Sequence, residues 1–128
     1  MSKKKATSQV LSEKIKPELV LQIRVMSGAV IAFGPGKADL LKHLEDTGSL
    51  QASAARMNMS YMKAWRLVRD MNACFSEPLV LAARGGAQQG GSQITEAGRS
   101  VLKLYLQMQR DADKASNVHW RMLARKLR

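Results

Sequence analysis

Between residues 47 and 61 the chain stops one helix, starts a second, stops it and starts a third. Gly48 is followed by Ser49, and Asn58 by Met59-Ser60. Glycine, and after it asparagine, takes up the left-handed conformation that ends a helix at least cost. Serine is a favoured N-cap, because its hydroxyl oxygen accepts a backbone N–H that the first helical turn leaves unpaired. The helix between the two serines is therefore short, and a very short turn joins it to the next one. Leu50, Ala54 and Met57 give it an apolar face at i, i+4 and i+7. The small side chains of Ala52, Ala54 and Ala55 are expected to let the neighbouring helices pack closely.

The helix before this pair carries Leu40, Leu41 and Leu44 on one face, with Lys37 a turn earlier, and closes at Thr47-Gly48. The helix after it is expected over about residues 61–73. Its predicted apolar stripe is Tyr61, Ala64, Trp65, Val68 and Met71, which makes Trp65 a core residue rather than a stacking platform. The opposite face shows Met62, Lys63, Arg66, Arg69 and Asp70. Three helices in this order, the last two joined by a tight turn, are a helix-turn-helix.

The flanks add strands. Leu19, Leu21, Ile23 and Val25 alternate with Glu18, Val20, Gln22 and Arg24, the period of a half-buried strand. Ser27-Gly28 is a turn signal, and 29–33 returns, so a hairpin is predicted over 19–33, ended by Gly34-Pro35-Gly36. Beyond Ser76-Glu77-Pro78, Leu79-Val80-Leu81 and Ser92-Gln93-Ile94 are strands either side of a glycine-rich tip, Arg84 to Gly91. This pair forms a wing, whose glycines permit tight turning and close approach to phosphates or the minor groove. Thr95 caps a long final helix. Val101, Tyr105, Met108 and Ala112 lie on one face of it, and Leu102 and Leu106 on a neighbouring one. A break is expected at Ser116-Asn117, then a short helix aligning Trp120, Leu123 and Leu127.

The predicted fold is mainly α with small β: a winged helix-turn-helix with an N-terminal β-hairpin and a long C-terminal dimerisation helix. The expected organisation is a basic flexible arm over 1–16, the winged helix-turn-helix over 17–94, and the dimerisation helix with a basic tail over 95–128. Leu102 and Leu106 are the candidate dimer contacts. With Val101, Tyr105 and Met108 on the core, they would lie about 100° round the helix and form an exposed apolar patch.

Charge points to the partner. Lys and Arg number 21 against 10 Asp and Glu, a net charge of +11 on 128 residues. It is unevenly spread: 1–16 carries +4, 17–47 carries −1, 48–94 carries +3 and 95–128 carries +5. Basic segments around a near-neutral platform fit a polyanion, nucleic acid or an anionic membrane surface. No apolar run approaches the roughly 18 residues a membrane span needs. No apolar h-region follows the basic N-terminus, so the cytoplasm is the expected setting, with the nucleoid when bound to DNA. A single cysteine excludes an internal disulfide and a cysteine-cluster zinc site.

Other chemistry is poorly supported. His43 sits among leucines on a helix, His119 has no partner at ligand spacing, and Cys74 reads as a small buried hydrophobe. The glycine-rich stretch lacks the Lys-Ser/Thr of a phosphate-binding Walker loop. No nucleophile, base and oxyanion donors assemble, so neither enzyme activity, a metal nor a cofactor is expected. The N-terminal residues of a recognition helix reach base edges in the major groove, and Arg can fork onto guanine. Ser60, Lys63 and Arg66 are therefore the base-reading candidates. Ser49, Arg56, Met62, Arg69, Arg84, Gln88 and Gln89 complete the candidate DNA-binding set as phosphate, wing or near-base contacts.

The run Gly48-Ser49-Leu50-Gln51-Ala52-Ser53-Ala54-Ala55-Arg56-Met57-Asn58-Met59-Ser60-Tyr61-Met62-Lys63-Ala64-Trp65 resembles the N-terminal DNA-binding domain of the ModE family, bacterial molybdate-responsive regulators. So do Asn72, Pro78-Leu79-Val80, the pairs Gly85-Gly86 and Gly90-Gly91, Thr95 with Gly98, and Gly34-Pro35-Gly36-Lys37. The likeness covers about residues 18–110, and Met59-Ser60-Tyr61, Ala64 and Trp65 form its most specific motif. It implies a LysR-like winged helix that dimerises and binds promoter DNA. Members carry glycine where this chain has Asn58, and a more glycine-rich wing where it has Gln88 and Gln89. ModE proper continues into molybdate-binding domains; this chain ends at Arg128, so a stand-alone DNA-binding form is expected.

The expected function is that of a sequence-specific transcriptional regulator, binding double-stranded DNA at a dyad-symmetric operator as a homodimer. The alternatives are a low-specificity architectural DNA-binding protein, and a protein-interaction module that uses the apolar face of the last helix.

Overall fold

The structure, a computed structural model, describes residues 16–82 and 91–128. These form two compact units. One is Gln22–Asp111; the other, among the described residues, comprises 16–21 and 112–128. The winged helix-turn-helix lies in the first.

Strand β1 is Val25–Ser27 and β2 is Val30–Phe33, antiparallel, with Gly28 turning the chain at φ +61°. The hairpin is shorter than the alternating pattern from Leu19 predicts, because 17–24 has no regular pairing. Alternation marks an extended chain, but only a neighbouring strand can satisfy its backbone groups as a sheet. A register shift between Val25 and Met26 places an extra residue on β2. Ala32 and Phe33 are then both buried, although they are consecutive. Phe33 meets Phe75 and Tyr105 edge-to-face, with centroids 6.2 and 5.1 Å away.

Helix α1 runs Pro35–Thr47. Gly34-Pro35-Gly36 thus begins a helix as well as ending a strand. Pro35 suits the first helical position, where its missing N–H costs nothing. Leu40, Leu41 and Leu44 are fully buried, as their spacing predicts. Lys37 shares that face and is only 7% exposed, its Nζ donating to the Ile31 carbonyl. Gly48 ends α1 in the left-handed region, its N–H donating to the Leu44 carbonyl at 2.8 Å.

Helix α2 is Leu50–Arg56, and Ser49 caps it, accepting from the Ala52 N–H at 3.0 Å. Its buried positions are Leu50, Ser53 and Ala54. Ala52 and Ala55, expected in the contact, face solvent instead. Ser53 takes their place because its hydroxyl is satisfied internally: it donates to the Ser49 carbonyl at 2.8 Å and pairs with Thr47 Oγ1 at 3.0 Å. Asn58 adopts φ +53°, the left-handed turn its side chain tolerates.

Helix α3 is Tyr61–Cys74, with Ser60 accepting from the Lys63 N–H at 3.1 Å. Its buried stripe is Ala64 and Met71, with Leu67 and Val68 partly buried beside them. Tyr61 and Trp65 do not join it; they are 46% and 43% exposed. At about 100° per residue, Trp65 sits at the edge of a stripe centred on Ala64, whereas Leu67 falls within it.

The wing strands are β3, Val80–Ala82, and β4, Ser92–Ile94, paired antiparallel. Helix α4 follows as Glu96–Ala124, unbroken through the expected break at Ser116-Asn117, whose backbone completes the helical ladder. Thr95 caps it, accepting from the Gly98 N–H at 3.0 Å and donating to the Pro78 carbonyl at 2.7 Å. In the first unit Tyr105 is buried, and Val101, Leu102 and Leu106 pack partly buried on the core. The expected faces are therefore corrected. Leu102 and Leu106 belong to the core side, and Met108 is exposed. The core arc is centred between Val101 and Leu102, so both edges share it.

Asn72 joins α3 to the wing. Its amide donates to the Val80 carbonyl at 2.9 Å, and its Oδ1 accepts from the N–H groups of Leu79 and Val80 at 2.8 and 3.3 Å. Asn72→Ala should lower stability by about 1–3 kcal/mol, because buried strand groups lose their partners; urea unfolding measures this.

Tyr105 donates to the Ile23 carbonyl at 2.8 Å. Burial, aided by Asp39, raises its pKa above the ordinary 10.0. The fold thus favours the neutral phenol. Its contribution is complete below pH 10 and is lost as pH rises through the raised value. The urea midpoint of the wild type should fall more steeply above pH 10 than that of Tyr105→Phe.

Candidate nucleic-acid interface

A recognition surface needs a helix whose polar end projects while its apolar stripe stays buried. Helix α3 meets this condition. Ala64, Leu67, Val68 and Met71 anchor it, and Met62, Lys63, Arg66 and Arg69 are all exposed. The Ser60 cap fixes where the helix begins, and so where Lys63 and Arg66 point. Neither of these cations has an ion pair within reach among the described residues. Both remain available to an anion.

The other candidates divide. Ser60 is exposed, but its oxygen already accepts the cap bond, so its hydroxyl proton is what remains to offer. Ser49 is half-buried and is likewise engaged as a cap. Arg56 is exposed and lies 3.7 Å from Asp46, a loose surface pair that a phosphate could displace. Arg69 lies 3.5 Å from Asp70, and its guanidinium stands 5.5 Å from the Trp65 ring centroid. Arg84, Gln88 and Gln89 lie outside the described residues. The structure thus brings Ser60, Met62, Lys63, Arg66 and Arg69 together on one helix, with Ser49 and Arg56 on the helix before it.

The wing is tied to this surface at its root. Ser49 and Gly91 form a bridge, and the Ser92 N–H donates to the Gly48 carbonyl at 3.1 Å. Between α3 and the wing runs a groove of about 400 Å³, lined by Tyr61, Trp65, Val68, Arg69, Val80 and Ser92 among others. Periodicity missed Tyr61 and Trp65 as surface residues. Tyr61 three residues before the small Ala64 and Trp65 one residue after it both lie to the same side of the buried stripe, about 60° and 100° round the helix, and that offset was the available signal. Arg99 holds the start of α4 to α1, contacting Glu45 at 3.1 Å and Glu96 at 3.0 Å, and those carboxylates raise its pKa. Among the described residues, no group of three His, Cys, Asp or Glu is placed to hold a metal ion, and no helix is long and apolar enough to cross a membrane.

No family model matches the chain. Curated relatives do. It is 38% identical over 71 residues to the transcriptional regulator ModE of Yersinia pestis, covering 56% of this chain and 27% of the relative. It is 33% identical over 84 residues to the DNA-binding transcriptional dual regulator ModE of Escherichia coli (strain K12), covering 66% and 32%. With the transcriptional regulator ModE of Haemophilus influenzae the identity is 29% over 101 residues, covering 79% and 39%. The aligned part is thus 27–39% of the length of these relatives.

The Ser60 cap is a point of test. Ser60→Ala should destabilise the fold by about 1 kcal/mol, the usual cost of a lost N-cap, read as a shift in the urea midpoint.

Proposed function

We propose that this ModE-like winged helix-turn-helix serves a transcriptional regulator that binds double-stranded DNA with α3 in the major groove. The observation that carries this is the exposed Lys63 and Arg66, without an ion pair among the described residues, at the capped start of a helix whose opposite side is packed into the core. Lys63 and Arg66 read base edges, with Ser60 and Met62 beside them. Arg56, Arg69 and Ser49 approach phosphates, and Arg84, Gln88 and Gln89 supply wing contacts. The names of the relatives support transcriptional regulation and DNA binding. The basic balance of the chain supports a nucleic-acid partner.

The binding unit in this reading is a homodimer on an operator with dyad symmetry, since paired recognition helices gain from effective concentration. The exposed apolar residues of α4 support it. Leu104 and Met108 lie exposed in the first unit, and Val118, Met122 and Leu123 in the second. Leu102 and Leu106, the contacts expected from the sequence, pack partly buried on the core instead. Leu104→Glu with Met108→Glu should give a folded monomer with weakened operator binding. Leu102→Glu with Leu106→Glu should instead lower the unfolding midpoint. Sedimentation and thermal melting of both variants check this.

Genomic footprinting at several salt concentrations tests the DNA reading. A discrete protected site, with log affinity falling against log salt by about 0.9 per phosphate neutralised, is expected. Arg66→Ala should cost about 1–3 kcal/mol at one base position and relax preference there. Diffuse protection, with equal losses on specific and random DNA, would instead favour a low-specificity architectural role.

A further inference from the structure

The chain has six aromatic residues. Phe33, Phe75 and Tyr105 form one edge-to-face cluster in the core. Two of the other three, Tyr61 and Trp65, stand exposed one turn apart on α3, and Met62 between them is 53% exposed. So three large apolar side chains occupy the part of α3 that also carries Lys63, Arg66 and Arg69. Exposed apolar surface on a soluble protein calls for a partner. The surrounding cations select a polyanionic one.

The Trp65 ring has neighbours on α3 and on the wing. The Arg69 guanidinium stands over it at 5.5 Å, and the ring lines the groove that Tyr61 and Val68 share with the wing residues Val80 and Ala82. The Asn72 clamp holds the far wall of that groove to the same helix. An apolar slot beside basic side chains needs an apolar projection on an anionic surface. In the major groove of B-form DNA that projection is the C5-methyl group of thymine.

We infer that Tyr61 and Trp65, with the exposed Met62 beside them, form a thymine-methyl contact on α3, so that sequence preference comes from an apolar slot as well as from Lys63 and Arg66. This rests on the DNA-binding reading above. Arg69 has a double part in it: its cation–π contact orients Trp65, and its charge faces the backbone alongside. Cytosine and uracil lack the methyl group and leave the slot uncovered.

The test uses the full chain and a duplex library enriched for binding from random sequence. The enriched pool is copied once with thymidine and once with deoxyuridine, which removes the methyl groups and keeps the pairing. Wild-type protein should bind the thymine pool at least about fourfold tighter, the value of one covered methyl. Trp65→Ala should bind the thymine pool more weakly and bring the thymine-to-uracil ratio close to one, while Trp65→Phe should keep most of it. Tyr61→Ala, read the same way, serves where Trp65→Ala fails to melt cooperatively. A wild-type ratio of one, or alanine variants that keep the wild-type ratio, would overturn the methyl contact and leave DNA binding standing. Failure to enrich any duplex would overturn both.

Discussion

The hydrogen bonds of Asn72 govern how the wing sits against α3. One amide on α3 satisfies two N–H groups and one carbonyl where the chain enters β3. Among the described residues strand β3 pairs with β4 alone, and a two-stranded ribbon is marginal by itself. Its position therefore depends on what anchors its root. Asn72 anchors it to α3, Thr95 ties it to α4 through Pro78 and Leu79, and Ser92 returns it to the Gly48 turn. Among the described residues, the wing root and the helix-turn-helix consequently share one surface.

That surface separates its energetic functions. Stability comes from the apolar cluster under α1, α2 and α3, built from Phe33, Leu40, Leu41, Leu44, Leu50, Met71 and Leu79. The ion pairs contribute little, because all lie on the surface, where water and salt screen them. Among the described residues, charge thus contributes little to holding the fold together. Lys63 and Arg66 need no rearrangement to meet an anion, while Arg56 and Arg69 must exchange weak carboxylate contacts for it.

Much of this was legible in the residues. Gly48, Ser49, Asn58, Ser60 and Thr95 act at the positions where a cap or turn was expected, since capping is local chemistry between a side chain and a backbone group within four residues. The full burial of Leu40, Leu41 and Leu44 was equally legible, because three leucines on one narrow face leave no other orientation. The basic face of α3 followed from the same periodicity. The cation–π pair of Trp65 with Arg69, and the groove beside them, were not legible, since a tryptophan at the edge of a stripe fits the core and the surface equally well.

The sequence alone determined the order of elements up to the start of α4, the stops between α1, α2 and α3 and the sign of the charge, because each depends on residue type or on neighbours close along the chain. Tertiary structure alone decided the rest. It chose Ser53 over Ala52 and Ala55 as the buried residue of α2, because Thr47 and the Ser49 carbonyl were there to satisfy its hydroxyl. It left 17–24 without strand pairing. It turned Leu102 and Leu106 inward and Trp65 outward, because the position of a core arc round a helix is set by what packs against it. Periodicity fixes which residues share a face, but only the packed neighbours determine how far that face extends.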